Sequence, residues 1–231
     1  MAGATKEKNT KNVTIYGRLS WPVWTAQAAF DRSVGSKYPV ASVDKAKPDF
    51  NLLVEQPQLD KLRSFVINTF LPYCIQQEAD GSKKDSLAAN EVAEIIKQIE
   101  AADFGGKSAI YNTPFKMVHE KTQPMAPEAV ASIKLIGGEG ADIVLKAIVT
   151  DENELLVPDA EILKFPVVKP IHETVHQMYP GAYVAATVNL YAYHNGKIPG
   201  FSAGASTAVF KADGDRLGGG VDVDLDEIFA D

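Results

Sequence analysis

The pentapeptide His172-Glu173-Thr174-Val175-His176 has the residue types and spacing of a helix-borne zinc pair. Two imidazoles four residues apart would share one helical face, with the glutamate between them as general base. That chemistry needs a helix long enough to hold both rings and a third ligand. The stretch is instead boxed between Pro170 and Pro180-Gly181, and KFPVVKP before it is extended in character. Tyr179 and Ala182 stand where the longer form of the motif has a glycine and a third histidine. No Asp or Glu occurs from 177 to 212. A second match, GFSAG at 200–204, has the spacing of a nucleophile elbow, which requires strand, sharp turn and helix. STAVFKADG, which overlaps and follows it, is too short and too β-like for that helix. All four histidines (His119, His172, His176, His194) precede Ser202, whereas that fold places its base after the nucleophile. GGEGAD (137–142) and RLGGG (216–220) lack phosphate-loop spacing and a following lysine. Cys74 lies in an apolar, helix-like stretch and reads as a core residue. The chain therefore reads as non-enzymatic, with no cofactor and no metal. A zinc metallopeptidase acting through His172, Glu173 and His176 is the catalytic alternative.

A different set of residues suits binding. In AYVAATVNLYAYH (182–194), Val184, Ala186, Val188, Leu190 and Ala192 alternate onto one face. Tyr183, Thr187, Asn189, Tyr191 and Tyr193 fall on the other. Tyr16 and Arg18 occupy the polar face of an earlier alternating stretch, VTIYGRLSW (13–21). Trp21 and Trp24 lead out of it towards Arg32 and Lys37, and Lys197, Phe201 and Lys211 come near the tyrosines through a hairpin. Flat rings interleaved with cations suit single-stranded nucleic acid, because bases stack on aromatic faces while lysines track the phosphates. A second layer covering this face would remove that reading. So would a protein-interaction or virion module without DNA affinity, and a duplex binder would retain single and double strands equally.

The elements that would position these residues are mostly strands. VTIYGRLSW is a half-buried strand with Val13, Ile15, Leu19 and Trp21 on its apolar face. Residues 38–54 read as a strand-like pair split by a turn at Asp44–Pro48. A helix follows, with Leu59, Leu62, Phe65, Val66 and Phe70 on its apolar side and Pro72 ending or bending it. Ser86 is placed to cap a second helix carrying Ala88, Val92, Ile95, Ile96 and Ile99. Strands are then expected at 108–118, 131–136, 142–150 and 162–169. Asn195-Gly196 is a favoured two-residue hairpin turn, returning through 197–210. Gly200 and Gly204 there suggest a bulge or a close approach by another segment. Strands and helices do not alternate, so the class is β-rich α+β: a small barrel with a helical insertion at about 55–104.

The charge is unevenly distributed. The chain has 231 residues and a formal net charge of −7. The last ten residues, DVDLDEIFAD, hold five acids and no base, and 78–103 holds seven acids against three bases, leaving the rest at +2. An acidic total thus hides a mildly basic body, in which a lysine-lined groove is possible. The tail follows Gly218-Gly219-Gly220, which read as a hinge. A tethered polyanion can occupy a cationic groove at high effective concentration, and Leu225, Ile228 and Phe229 give it an apolar anchor for a partner protein. Residues 1–11 read as a disordered arm, 12–217 as the folded domain and 218–231 as hinge and disordered acidic tail. No apolar run approaches the length that spans a bilayer. A single cysteine excludes an internal disulfide and suits a reducing cytoplasm.

MYPGAYVAATVNLYAYHNGKIPGFSAGASTAVFKADGDRLGGG (178–220), with GRLSW (17–21) and the acidic, Phe-containing end, resembles a family of bacteriophage single-stranded DNA-binding proteins. The match covers about 60 residues, mostly C-terminal. The resemblance implies an OB-fold, a five-stranded barrel. It also implies coating of single-stranded DNA during phage replication, recombination and repair in the cytoplasm of the infected host, with possible self-association along the DNA. It further implies that Asp222, Asp224, Asp226, Glu227 and Phe229 recruit phage or host replication proteins. The chain departs from that pattern by ending Phe-Ala-Asp rather than at Phe, which bears on partner choice.

Overall fold

The computed structural model describes residues 9–101, 111–147, 178–195 and 198–218. Alternation at the start of the chain becomes strand β1 (Asn12–Val23), which has two partners in succession. Its first half pairs antiparallel with the long strand β6 (Tyr183–Asn195), from Asn12 opposite Asn189 to Arg18 opposite Tyr183. Its second half pairs antiparallel with β2 (Asp49–Val54). The changeover falls beside Gly17. A Cβ there would lie 2.6 Å from the carbonyl oxygen of Leu53, so only glycine lets the two backbones approach.

β2 continues antiparallel into β4 (Ala131–Ile136), which has a two-residue side pairing with β3 (Phe115–Lys116). β4 runs parallel to β7 (Ile198–Gly204), and β7 returns antiparallel to β6. The β1–β6 pairing then closes a ring in the order β1-β2-β4-β7-β6. This is an OB-like arrangement, as expected. Outside the ring, β8 (Thr207–Ala212) pairs antiparallel with the start of β6 and parallel with β5 (Val144–Ala147).

The ring encloses Ile15, Leu19, Phe50, Leu52, Ile133, Leu135, Val184, Val188 and Leu190, all buried. The helices between β2 and β4 join the same core. α2 (Gln56–Phe65) and α3 (Leu71–Ala79) are joined by a wider π-helical turn at Val66–Phe70. Pro72 lacks an N–H and would clash with the preceding turn of a regular helix, so the wide turn just before it lets the helix continue past the proline. Pro72 therefore does not end the helix, which continues through the wide turn into α3. α4 (Ala89–Glu100) buries Val92, Ile95 and Ile99 at helical spacing. It begins three residues after Ser86, and Glu91 accepts from the Ala88 N–H at 2.9 Å in its first turn.

Three expectations for strands change. Residues 38–48 are loop with one short 3₁₀ turn, and only 49–54 is strand. In the described part of 108–118, from residue 111 on, strand pairing contracts to Phe115–Lys116, with an isolated bridge from Asn112 to Gly200. A Cβ at Gly200 would lie 2.5 Å from the Asn112 carbonyl oxygen, which is the close approach anticipated there. The return strand after the hairpin divides into β7 and β8, which pair along successive parts of β6. An eight-residue helix, α1 (Ala26–Ser33), went unread because alanines dominate it; Thr25 caps it by accepting from the Ala28 N–H at 3.1 Å. The expected strand at 162–169 and the motif at 172–176 lie outside the described residues.

Phe201 belongs to this core rather than to a binding face. It is fully buried, 5.7 Å from Phe70 and 6.2 Å from Phe115 between ring centroids. Cys74 is buried in the same core cluster, and burial first, then the charge of Asp85, pushes its thiol up to about 12. Phe201→Ala is expected to cost about 3–5 kcal/mol of stability. The measurement is a denaturant titration, read together with thiol-reagent labelling of Cys74, which should be slow in the wild type and accelerate in the variant.

Candidate nucleic-acid interface

The pairing of β1 with β6 builds an outward face from matched rungs. Asn12 lies opposite Asn189, Thr14 opposite Thr187, Tyr16 opposite Ala185 and Arg18 opposite Tyr183. Alternation turns the neighbouring residues inward, so every outward side chain here is polar, aromatic or small. The rungs are bonded across the strands. Asn189 Nδ2 donates to Asn12 Oδ1 at 2.6 Å, and the Thr14 and Thr187 hydroxyls are 3.2 Å apart. Further along β6, Tyr191 lies opposite Ser202 and Tyr193 opposite Gly200. Their ring centroids are 6.2 Å apart, and the Tyr191 ring passes close over Gly204. Burial, then the neighbouring Tyr191, raises the pKa of the Tyr193 hydroxyl.

This face forms the floor of an open groove of about 910 Å³. Its far wall is the turn after β4, Gly137–Glu139, with Lys47 and Lys146 at the margins. Glu139 is ion-paired with Lys45 at 3.3 Å and Lys47 at 3.6 Å. Lysine hydrogen bonding first, then lysine charge, holds the Glu139 carboxyl below its ordinary range. At the other end Tyr16 meets two cations: Lys211 Nζ lies 3.8 Å and Lys61 Nζ 5.5 Å from its ring centroid. The helices pack into the ring's core, and Thr187 and Asn189 remain exposed.

The other anticipated residues are distributed differently. Arg18 is buried and its guanidinium is spent inside the protein. It donates to the carbonyls of Gly181 (3.3 Å), Met125 (3.0 Å) and Asp215 (2.6 Å) and to Glu128 Oε1 (2.8 Å). It therefore ties β1 to the loop before β4 and to the residues after β8 instead of presenting charge to a ligand. Its planar fork also lies 5.8 Å from the Tyr183 ring. Trp24 packs against Phe50, with centroids 5.2 Å apart, as part of the core edge. Trp21 departs from the apolar face assigned to it. The β1–β2 register shifts between Ser20 and Val23, Trp21 takes φ +46°, and its side chain is 60% exposed. Lys37 stands on the loop after α1, 5.2 Å from the ring of Tyr38. Lys197 and Asp222, Asp224, Asp226, Glu227 and Phe229 lie outside the described residues.

Sequence reasoning missed Tyr38, Lys47, Lys61 and Lys146 as members of the exposed aromatic and cationic set. Thr187 and Asn189 carried a signal, since alternation already put them on the tyrosine face. Lys47 and Lys146 carried none, because their place depends on the course of the loop before β2 and on the pairing of β5 with β8. The two-residue hairpin turn also held the correction for Phe201. Asn195 is the last residue of β6 rather than part of the turn and pairs with Ile198. A turn at Asn195-Gly196 would set Phe201 opposite Leu190 and the observed register sets it opposite Ala192, both on the core face.

Among the described residues no group of His, Cys, Asp and Glu could hold a metal ion, and no helix is long and apolar enough to cross a membrane. No family model matches the chain, and no curated protein matches it. Solved structures similar to it include the single-stranded DNA-binding protein from bacteriophage Enc34. That likeness has 13% identity and a TM-score of 0.46 and covers 97% of each chain. The same Enc34 protein in complex with single-stranded DNA aligns at 13% identity and a TM-score of 0.47, over 93% of this chain and 97% of that one. The single-stranded DNA-binding protein gp2.5 encoded by bacteriophage T7 aligns at 10% identity and a TM-score of 0.39, over 93% and 99%.

An acid-sensitive clamp lies on the outward side of β2. Asp49 accepts both arms of the Arg32 fork, at 3.0 and 2.8 Å, and lies 3.2 Å from Lys134. Burial opposes its ionisation, yet the Arg32 hydrogen bonds and the charges of Lys134 and Arg32 hold its pKa below the ordinary value. A depressed folded-state pKa contributes stability above the unfolded carboxylate value of about 3.9, and that stability is lost as pH falls through the folded value. Asp49→Asn should therefore be less stable than wild type at pH 7, with the gap narrowing below about pH 4. Thermal melts across that range measure it.

Proposed function

We propose that this chain is a non-enzymatic single-stranded DNA-binding protein that holds its ligand along the outward face of β1 and β6. The observation that carries this reading is the shared face of Tyr16, Tyr183, Tyr191 and Tyr193, with hydroxyl and amide rungs between them and lysines at the margin. Rings of this kind stack on any base, so binding is largely indifferent to sequence. In a duplex the base faces are hidden in the stack, so the rings favour unpaired strands, which phosphate attraction alone would not do. Lys47, Lys146 and Lys211 serve the phosphates, and a phosphate entering the groove competes with Glu139 for Lys45 and Lys47.

The biological reading that fits this activity is coating of single strands in phage DNA replication, recombination and repair, in the cytoplasm of the infected bacterium. On this reading 12–217 is the DNA-binding domain, with the helical block as an insertion within it. The tail competes for the same groove. With Asp222, Asp224, Asp226 and Glu227 as its charge and Phe229 as its anchor, it recruits replication proteins once DNA releases it.

Two measurements test this. In fluorescence titrations with labelled single- and double-stranded oligonucleotides, Tyr191→Ala or Tyr193→Ala should weaken single-strand binding roughly 5- to 150-fold without unfolding the domain. Unchanged affinity in both variants would remove this face from the site. Deleting 221–231 should raise single-strand affinity at low salt, since a competing anion is lost. A fall in affinity would contradict the competing tail.

A further inference from the structure

Beyond Tyr16 the outward face deepens into a second hollow, of about 420 Å³. Tyr16 lines both it and the main groove, so a strand lying along the face reaches it without a break. Its walls include two rings, Tyr16 and Tyr183, and a cation, Lys211, 3.8 Å from the Tyr16 centroid. They also include two carboxylates, Glu55 and Glu128. Glu128 is occupied by Arg18 at 2.8 Å. Glu55 precedes α2 as its N-cap residue, yet its side chain makes no capping bond to the helix. Both carboxylates act on the Tyr183 hydroxyl. After burial, and against the charge of Arg18, their charges help to raise its pKa.

A carboxylate on a phosphate-binding face needs a reason, because it repels the backbone of the ligand. An ionised carboxylate only accepts hydrogen bonds. At Glu55 itself neither a phosphate oxygen nor the keto edge of thymine finds a donor; the donors of this hollow include Lys211 at its rim and the Gln58 amide, whose Oε1 accepts from the Tyr16 N–H at 3.1 Å. An exocyclic amino group suits Glu55, in the way that Glu or Asp accepts from cytosine N4. We infer that this hollow takes one nucleobase bearing an exocyclic amino group, its ring against Tyr16 and Tyr183 and its amino group donated to Glu55. The inference rests on the proposed single-strand binding and adds to it a base preference at one position. Lys211, at the rim beside Tyr16, meets the backbone of that nucleotide. Elsewhere along the face Thr14, Thr187, Asn12 and Asn189 both donate and accept, so no base is disfavoured there.

The test compares dC and dT oligonucleotides of equal length at pH 7.5, two pyrimidines that differ at C4 (amino against keto), at N3 (acceptor against N–H) and in the thymine methyl, so that the Glu55→Gln comparison isolates the carboxylate. The probe is fluorescence anisotropy with wild type and Glu55→Gln. Wild type should bind dC roughly fivefold or more tightly than dT. The amide introduced by Glu55→Gln both accepts and donates, so the variant should bind the two within about twofold of each other, chiefly by gaining dT affinity. Equal binding by wild type, a preference for dT, or a preference for dC that survives in Glu55→Gln would overturn the base-selective hollow and leave single-strand binding intact. Failure of wild type to bind either oligonucleotide would overturn both.

Discussion

The antiparallel ladder between β1 and β6 is the constraint on which the rest depends. It joins residues 165 to 177 apart in sequence and closes the ring. It also decides which side of each strand faces out. Val13, Ile15 and Gly17 meet Val188, Ala186 and Val184 inside, while the asparagine, threonine and tyrosine rungs alternate outside. A slip of one residue would send Tyr16 and Thr14 into the core and Ile15 to solvent, so burial of the apolar set holds the register of the polar one. The outward face is thus a consequence of the core, read from its other side.

The same logic divides the aromatic residues by type. Phe50, Phe70, Phe115, Phe201 and Phe210 are fully buried, whereas Tyr16, Tyr183, Tyr191 and Tyr193 are partly exposed on the outside. A phenol carries a hydroxyl that loses hydrogen bonds if buried without a partner, so tyrosine suits a surface that must offer an apolar ring and stay wet. The cations divide likewise. Arg18 and Arg32 spend their planar forks on internal carbonyls and carboxylates, for which bidentate geometry fits. Lysines line the groove, where a single mobile charge suffices.

The helical block is part of the core rather than a cover over the face. Leu59, Leu62, Val66, Phe70, Leu71, Cys74, Val92, Ile95 and Ile99 share one buried cluster with the inward residues of the ring. Polar ties reach from this block to the end of β6. Asp85, buried and at φ +56°, accepts from the Ala192 N–H at 3.0 Å and pairs with Lys11 at 2.5 Å, while His194 lies 3.3 Å from Glu91. The far end of the tyrosine strand is thereby fixed to the helices, and the two rings nearest that end, Tyr191 and Tyr193, sit on a supported backbone.

Local order was legible in the residues themselves. The two faces of 182–194, strand 131–136 and the helical spacing of Leu59, Leu62 and Val66 all follow from periodicity and spacing, which are properties of adjacent residues. What only the tertiary structure decided is which charges and rings remain available. Arg18 and Tyr16 look equivalent on an alternating strand, yet one is consumed by carbonyls over a hundred residues away and the other is left beside Lys211. Trp21 left its apolar face because a bulge shifted its register against β2, and Trp24 was claimed by Phe50. Lys47, Lys146 and Glu55 acquired a place near the face only through the loop before β2, the pairing of β5 with β8 and the passage from β2 into α2. Alternation assigns a side to each residue. Whether that side is solvent, core or an internal acceptor depends on long-range pairing, which the spacing of neighbouring residues does not encode.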